Sequence, residues 1–225
     1  MASYILEEFI GPELSDIVFR YLYRLCVIFE GCEIKYGFNE LNDIYEFVKD
    51  YNDLYTIEIL YPYTIDDTSN KFTDMKYLTR IINTHLLDIK DAEYLFAGCE
   101  NLNCEMKLKL PANVDYMMIE CKKFNSSVSG IDTKNVISAC YMFEGCESLT
   151  DIKDLNLSNC QYTFRMFSKC INLKIDYELE LPEVLNALQM FMNCDKVTVE
   201  PSLPKCLRRR STDVFGEGFS YYPGN

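Results

Sequence analysis

The chain has 225 residues, 48% of them apolar and 25% charged, which suffices for one continuous core, is too short for a large multidomain machine and excludes disorder. A formal charge of −13 and a pI near 4.6 argue against nucleic acid or an anionic membrane as the main ligand, because a phosphate binder must offset negative charge. No run approaches the roughly 18–20 apolar residues of a membrane span, and Glu7 and Glu8 stand where an export signal carries Lys or Arg, so the expected location is the cytoplasm or a virion, with the cell surface ranked behind them.

Pro12 opens an expected amphipathic helix over about 12–26, with Leu14, Ile17, Val18, Leu22 and Leu25 on its apolar face. VIFEGCEI (27–34) carries a Phe29–Cys32 spacing that recurs later and is either chance or a diverged first repeat. Asn39 is a candidate cap for a second helix through about Tyr51, with Leu41, Ile44, Phe47 and Val48 facing one way. TIEILYPY (56–63) reads as a strand and DDTSNKFTD (66–74) as a loop. MKYLTRII (75–82) reads as a helix or as a diverged coil, since Met75 stands 24 residues before Cys99. The lone histidine, His85, sits in the apolar run THLLDI and reads as a structural, hydrogen-bonded residue beside a strand. Residues 1–90 are expected to form an α+β cap over the repeats or an acidic docking region. Residues 1–98 hold 18 acidic against 8 basic side chains, and 99–225 hold 17 against 14.

From residue 91 to 225 a period governs the chain. YLFAGCENL (94–102), YMMIECKKF (116–124), YMFEGCESL (141–149), RMFSKCINL (165–173) and QMFMNCDKV (189–197) align on Cys99, Cys121, Cys146, Cys170 and Cys194, which are 22, 25, 24 and 24 residues apart. Phe96, Met118, Phe143, Phe167 and Phe191 precede them by three positions, and Phe215 marks a degenerate last copy in which Gly218 replaces the cysteine. Between the copies, MKLKLP, SGIDTKN, KDLNLSN, YELELP and VTVEPSLP alternate with period two and read as short strands with one buried face. The expected fold is therefore α/β: a solenoid of about five to six coils with a parallel strand face, in which the repeated thiols and rings form an internal ladder.

The segment CYMFEGCESLTDIKDLNLSNCQYTFRMFSKCINL (140–173) resembles the leucine-rich repeats of the BspA-like family, whose units carry Met-Phe, two residues, Cys, two residues, Leu and then a leucine-rich strand. The likeness covers about Asp91 to Tyr221. It implies a leucine-rich-repeat solenoid used to bind other macromolecules, often on bacterial or protist surfaces.

Nothing in the sequence points to an enzyme. The single histidine removes most histidine-dependent hydrolases, no glycine-rich phosphate loop is present, and no short motif groups the acidic residues for calcium. No cysteine pair has C-x-x-C spacing, Cys26, Cys32, Cys104, Cys140, Cys160 and Cys206 included, so structural free thiols are expected and no metal or cofactor. A hydroxyl placed at Cys146 is expected to find no partner. Arg208, Arg209 and Arg210 read as a solvated loop cluster. The expected function is non-enzymatic protein–protein interaction through outward strand residues: Lys107, Lys109, Asp132, Asn156, Ser158, Glu178, Glu180, Thr198 and Glu200, a row running from basic through neutral to acidic. The partner is another protein or further copies of the chain. Seventeen tyrosines and fourteen phenylalanines without tryptophan fit an AT-rich coding bias common in phages, large viruses and low-GC bacteria, which raises the alternative of a structural or assembly component of a virus particle.

Overall fold

In the computed structural model, which describes residues 12–32, 34–66, 71–199, 201–204 and 214–216, helix α1 (Pro12–Leu22) leads into β1 (Leu25–Phe29) and β2 (Lys35–Phe38). Then come α2 (Leu41–Val48), β3 (Tyr55–Ile59), β4 (Tyr63–Ile65) and β5 (Leu78–Ile82). A 3₁₀ turn (Thr84–Leu86) precedes β6 (Leu87–Ile89), and β7 (Leu108–Lys109) and β8 (Ile131–Asp132) follow.

A four-stranded sheet of order β2-β1-β3-β5 carries the N-terminal core; β1 is antiparallel to β2 and β3, whereas β3 and β5 are parallel. The expected first helix stops at Leu22, because Leu25 and Cys26 belong to a central strand bonded on both edges, a tertiary pairing that overrides helical periodicity. Ile17 and Leu22 stay exposed and Phe19 is buried in their place. α1 is held to the sheet by charge: Arg20 binds Asp16 at 2.9 Å and Glu58 at 3.3 Å, and Lys35 binds Asp16 at 3.2 Å. The hydrogen bond from Arg20, partly opposed by desolvation, holds the Asp16 carboxyl below its usual range. Asn39 does not cap α2. Instead the Tyr63 hydroxyl accepts the Leu41 N–H at 3.2 Å and donates to Glu40 Oε2 at 2.9 Å.

From Phe72 onward, successive segments of about two dozen residues lie parallel on one another. Within each Phe-Cys segment the backbone donors alternate. The N–H groups of Leu95, Ala97 and Cys99 close turns onto Ala92, Tyr94 and Phe96, while those of Tyr94, Phe96 and Gly98 bond to Asp115, Met117 and Ile119 of the next unit. The pattern repeats, with Tyr141, Phe143 and Gly145 donating to Phe164, Met166 and Ser168. This zigzag needs two left-handed residues per unit, four positions apart: Tyr94 and Gly98, Tyr116 and Glu120, Tyr141 and Gly145, Arg165 and Lys169, Gln189 and Asn193. Most are not glycine, so each unit stores backbone strain that its packing must offset. Phe72, Met75 and Leu78 occupy the Phe, Cys and Leu places of a unit ahead of Phe96, with Asp74 left-handed at φ 59° and Phe72 stacked on Phe96 at 5.3 Å. Phe29, Gly31 and Cys32 copy the same turn, but β1 runs antiparallel to β3, so this copy stands outside the stack.

The expected leucine-rich-repeat solenoid with a parallel strand face, behind an irregular cap, is not what forms. The sheets are small, one mixed and four-stranded and two of two strands (β4-β6 and β7-β8), the helices are few, and most of the chain is irregular. Among the described residues, MKLKLP and SGIDTKN contribute two strand residues each, KDLNLSN none, and the later segments only isolated bridges, Ile175 to Val197 and Glu180 to Ser202. Local side-chain bonds compete with the ladder, as Asp132 Oδ1 takes the Lys134 N–H, Asp151 Oδ1 that of Lys153 and Asn156 Oδ1 that of Ser158. Pro111 and Pro182 also remove donors at the ends of two segments.

Two outcomes test the packing. Phe143, Phe167 and Phe191 are fully buried and stack at 5.6 Å per step, so Phe167→Ala should cost about 3–5 kcal/mol in urea unfolding. A Cβ on Gly130 would lie 2.1 Å from the Met106 carbonyl oxygen, so Gly130→Ala should cost about 1–3 kcal/mol, and an unchanged midpoint would show that β7 and β8 are not closely paired.

Candidate functional site

The repeated cysteines form a ladder. Cys99, Cys121, Cys146, Cys170 and Cys194 are fully buried, as are Phe96, Met118, Phe143, Phe167 and Phe191, and Phe215 is 5% exposed. Each thiol donates to the carbonyl of the preceding unit three positions before its own cysteine site: Cys99 to Phe72 at 2.9 Å, Cys121 to Phe96 at 3.1 Å, Cys146 to Met118 at 3.2 Å, Cys170 to Phe143 at 3.1 Å and Cys194 to Phe167 at 2.9 Å. The same carbonyls accept the N–H of residue 75, 99, 121, 146 or 170 of their own unit. Burial pushes every one of these thiols above its ordinary value, Cys194 up to about 12. They are protonated at neutral pH and are not nucleophiles. The premise that a hydroxyl at Cys146 lacks a partner is therefore overturned, because the Met118 carbonyl is in place to receive it.

The residues expected on the binding face lie in successive units, where Thr133, next to Asp132, donates to the Asn156 carbonyl at 2.6 Å. Lys107, Lys109 and Asp132 lie together at β7 and β8, where Lys109 pairs with Asp132 in register and both line a cavity of about 800 Å³. Asp88 lines the same cavity, so basic and acidic groups interleave here. Asn156 and Ser158 are exposed and bonded to each other. Glu178, Glu180 and Thr198 are exposed; Glu180 bridges to Ser202, and the Thr198 hydroxyl donates to the Ile175 carbonyl at 3.5 Å. Glu200, Cys206, Arg208, Arg209, Arg210 and Gly218 lie outside the described residues.

Sequence reasoning missed two features. The first is a cavity of about 650 Å³ lined by Arg80, Thr84, His85, Asn103, Glu105 and Lys107, among others. His85 is exposed here, in the 3₁₀ turn that leads directly into β6. Cys104 also lines this cavity, but the residue is buried, its sulfur bonds the Ile81 backbone, and burial pushes its thiol up. It is no partner for His85 in thiol catalysis. The second is an apolar ridge. Parallel bridges join Asn113, Ser138, Tyr162 and Asn186, and beside them Ile137, Tyr162, Leu185 and Leu188 are 42%, 41%, 55% and 42% exposed. The signal for this ridge was in the sequence, since Ile137 and Leu185 stand at matching places two units apart and are followed by the buried Ala139 and Ala187. A row of stacked rings, Tyr94 on Tyr116 at 4.7 Å and Tyr116 on Tyr141 at 4.6 Å, runs alongside, ending in Phe164 and the Arg165 guanidinium.

Among the described residues no group of acidic, Cys or His side chains is placed to hold a metal ion, and no helix is long and apolar enough to cross a membrane. The profile of a family described as "Mycoplasma protein of unknown function, DUF285" matches residues 66–178 and again 105–202. No curated protein matches the chain, and no solved structure does.

The thiols generate two expected outcomes. Among the described cysteines only Cys32 and Cys140 are not buried, so mass-spectrometric mapping after native alkylation should find these labelled well before the five ladder thiols. In the unfolded chain the thiols ionise near 9.0, whereas in the native ladder they stay protonated. Their contribution is complete below pH 9 and is lost as pH rises above it, so the urea midpoint should fall between pH 8 and pH 11.

Proposed function

Because the chain belongs to this DUF285 family, whose description assigns no activity, we propose from its surface that it is a non-enzymatic protein–protein interaction module that binds through the apolar ridge of Ile137, Tyr162, Leu185 and Leu188. The single observation carrying this reading is the alignment of these exposed side chains along the bridge of Ser138, Tyr162 and Asn186. Isolated exposed apolar residues are ordinary, but a contiguous row on a rigid backbone costs solubility and suits a partner. The stack fixes the row's spacing, so little ordering entropy is lost on binding. The Met-Phe-x-x-Cys-x-x-Leu signature supports kinship with the BspA-like repeats, whose implied use is macromolecular binding.

The same ridge would serve assembly of copies of the chain, which keeps the structural-component reading alive; light scattering separates the two. A discrete oligomer that reverts to monomer in Tyr162→Asp/Leu185→Asp would support self-assembly. A monomer whose capture of one defined protein is lost in the same variant would support an adaptor. Both residues are exposed, so the variant should melt within about 2 °C of the parent. A monomeric chain with undiminished capture in the variant would sink the ridge as the contact.

A further inference from the structure

The cavity beside the 3₁₀ turn brings cations together in a strongly acidic chain. Arg80 and Lys107 both line it, and like Arg24, Lys109 and several other described cations neither forms an ion pair with a described residue, so both charges are available to a ligand. Neutral donors stand beside them. Asn103 Oδ1 accepts the Asn125 N–H at 3.0 Å and the Ser126 hydroxyl at 2.8 Å, which fixes the amide and leaves its Nδ2 as a donor without a described acceptor. Thr84 Oγ1 accepts the Lys107 N–H at 2.8 Å, so its own proton remains to be given. Glu105 is the one acidic side chain of the lining.

We propose that this cavity binds the phosphate group of a phosphomonoester. A carboxylate is saturated by one guanidinium fork, whereas Arg80, Lys107, Asn103 and Thr84 all line the cavity and offer more donors than two oxygens can take, and a tetrahedral group with up to two negative charges has the acceptors to match them. Two cations against Glu105 favour a monoester over a polyphosphate. With a net charge of −13 the chain as a whole repels anions, so saturable phosphate binding has to arise locally. The group could be carried by a phosphorylated side chain of a protein or by a small free ester. The site shares no residue with the apolar ridge, so either proposal stands if the other fails.

His85 is the chain's only histidine and lines this cavity and, with Lys107, the neighbouring one of about 800 Å³, so its imidazole proton resonances report binding without assignment, and Arg80 and Glu105, which line only the first, tell the two apart. Titration with inorganic phosphate at fixed pH and ionic strength, with chloride as control, should move them saturably. Arg80→Gln and Lys107→Gln should each weaken binding at least tenfold, and Glu105→Gln should tighten it about threefold. These exposed positions should leave the spectrum otherwise dispersed. A linear, non-saturating shift, or affinities unchanged in both cation variants, would overturn the site. A phosphoserine peptide binding more tightly than inorganic phosphate assigns the protein source, and glycerol 3-phosphate doing so assigns the free ester; neither doing so rejects a monoester as ligand.

Discussion

The stack rests on one shared acceptor. From Phe72 to Phe167 the carbonyl at the Phe position takes the N–H three residues on and also the thiol of the following unit, as Phe96 does with Cys99 and Cys121 and Phe143 with Cys146 and Cys170. A carbonyl has two lone pairs, and here both are used in a dry interior where an unmade bond is costly. Cysteine suits the place because it packs as a small hydrophobe and still supplies a weak donor. Methionine at position 75 shows what the first unit requires: with no thiol to give, it occupies the same buried place, and the Phe72 carbonyl receives Cys99 from the next unit.

Around that acceptor the aromatic column sets the rise of the stack. Phe143, Phe167 and Phe191 lie nearly parallel, with planes 6–7° apart. Where Met118 interrupts the rings, Phe124 moves against Phe143 at 6.3 Å. Polar side chains repeat the tie on the surface: Asn101 donates to the Lys76 carbonyl, Lys123 to Asn101, and Asn172 to the Glu147 carbonyl. The left-handed residues are tolerated because packing and inter-unit bonds over-determine them. A rigid column of this kind holds both surface features, the apolar ridge and the cationic cavity, at fixed geometry.

Much of the interior was legible in the sequence, because a buried place repeated every 22–25 residues leaves the same residue type in register. The surface was less so. Lys107, Lys109 and Asp132 were read as neighbours on one row, and Lys109 does pair with Asp132, but the sequence did not show that Asp88 stands at the same cavity. Strand pairing between distant segments sets that neighbourhood, and no local pattern encodes it. His85 was read as a structural, hydrogen-bonded residue beside a strand; it does stand just before β6, but it is exposed in the 3₁₀ turn while Leu87 goes inward.

Period and composition by themselves determined that thiols and rings share one interior, since only a repeated environment preserves a repeated residue. Tertiary structure alone decided that the alternating segments would make turns and bridges instead of a continuous sheet. Whether a backbone N–H bonds to its own turn, to an Asp or Asn side chain two residues back, or to the neighbouring unit is a competition among acceptors, and its winner depends on where the next unit lies.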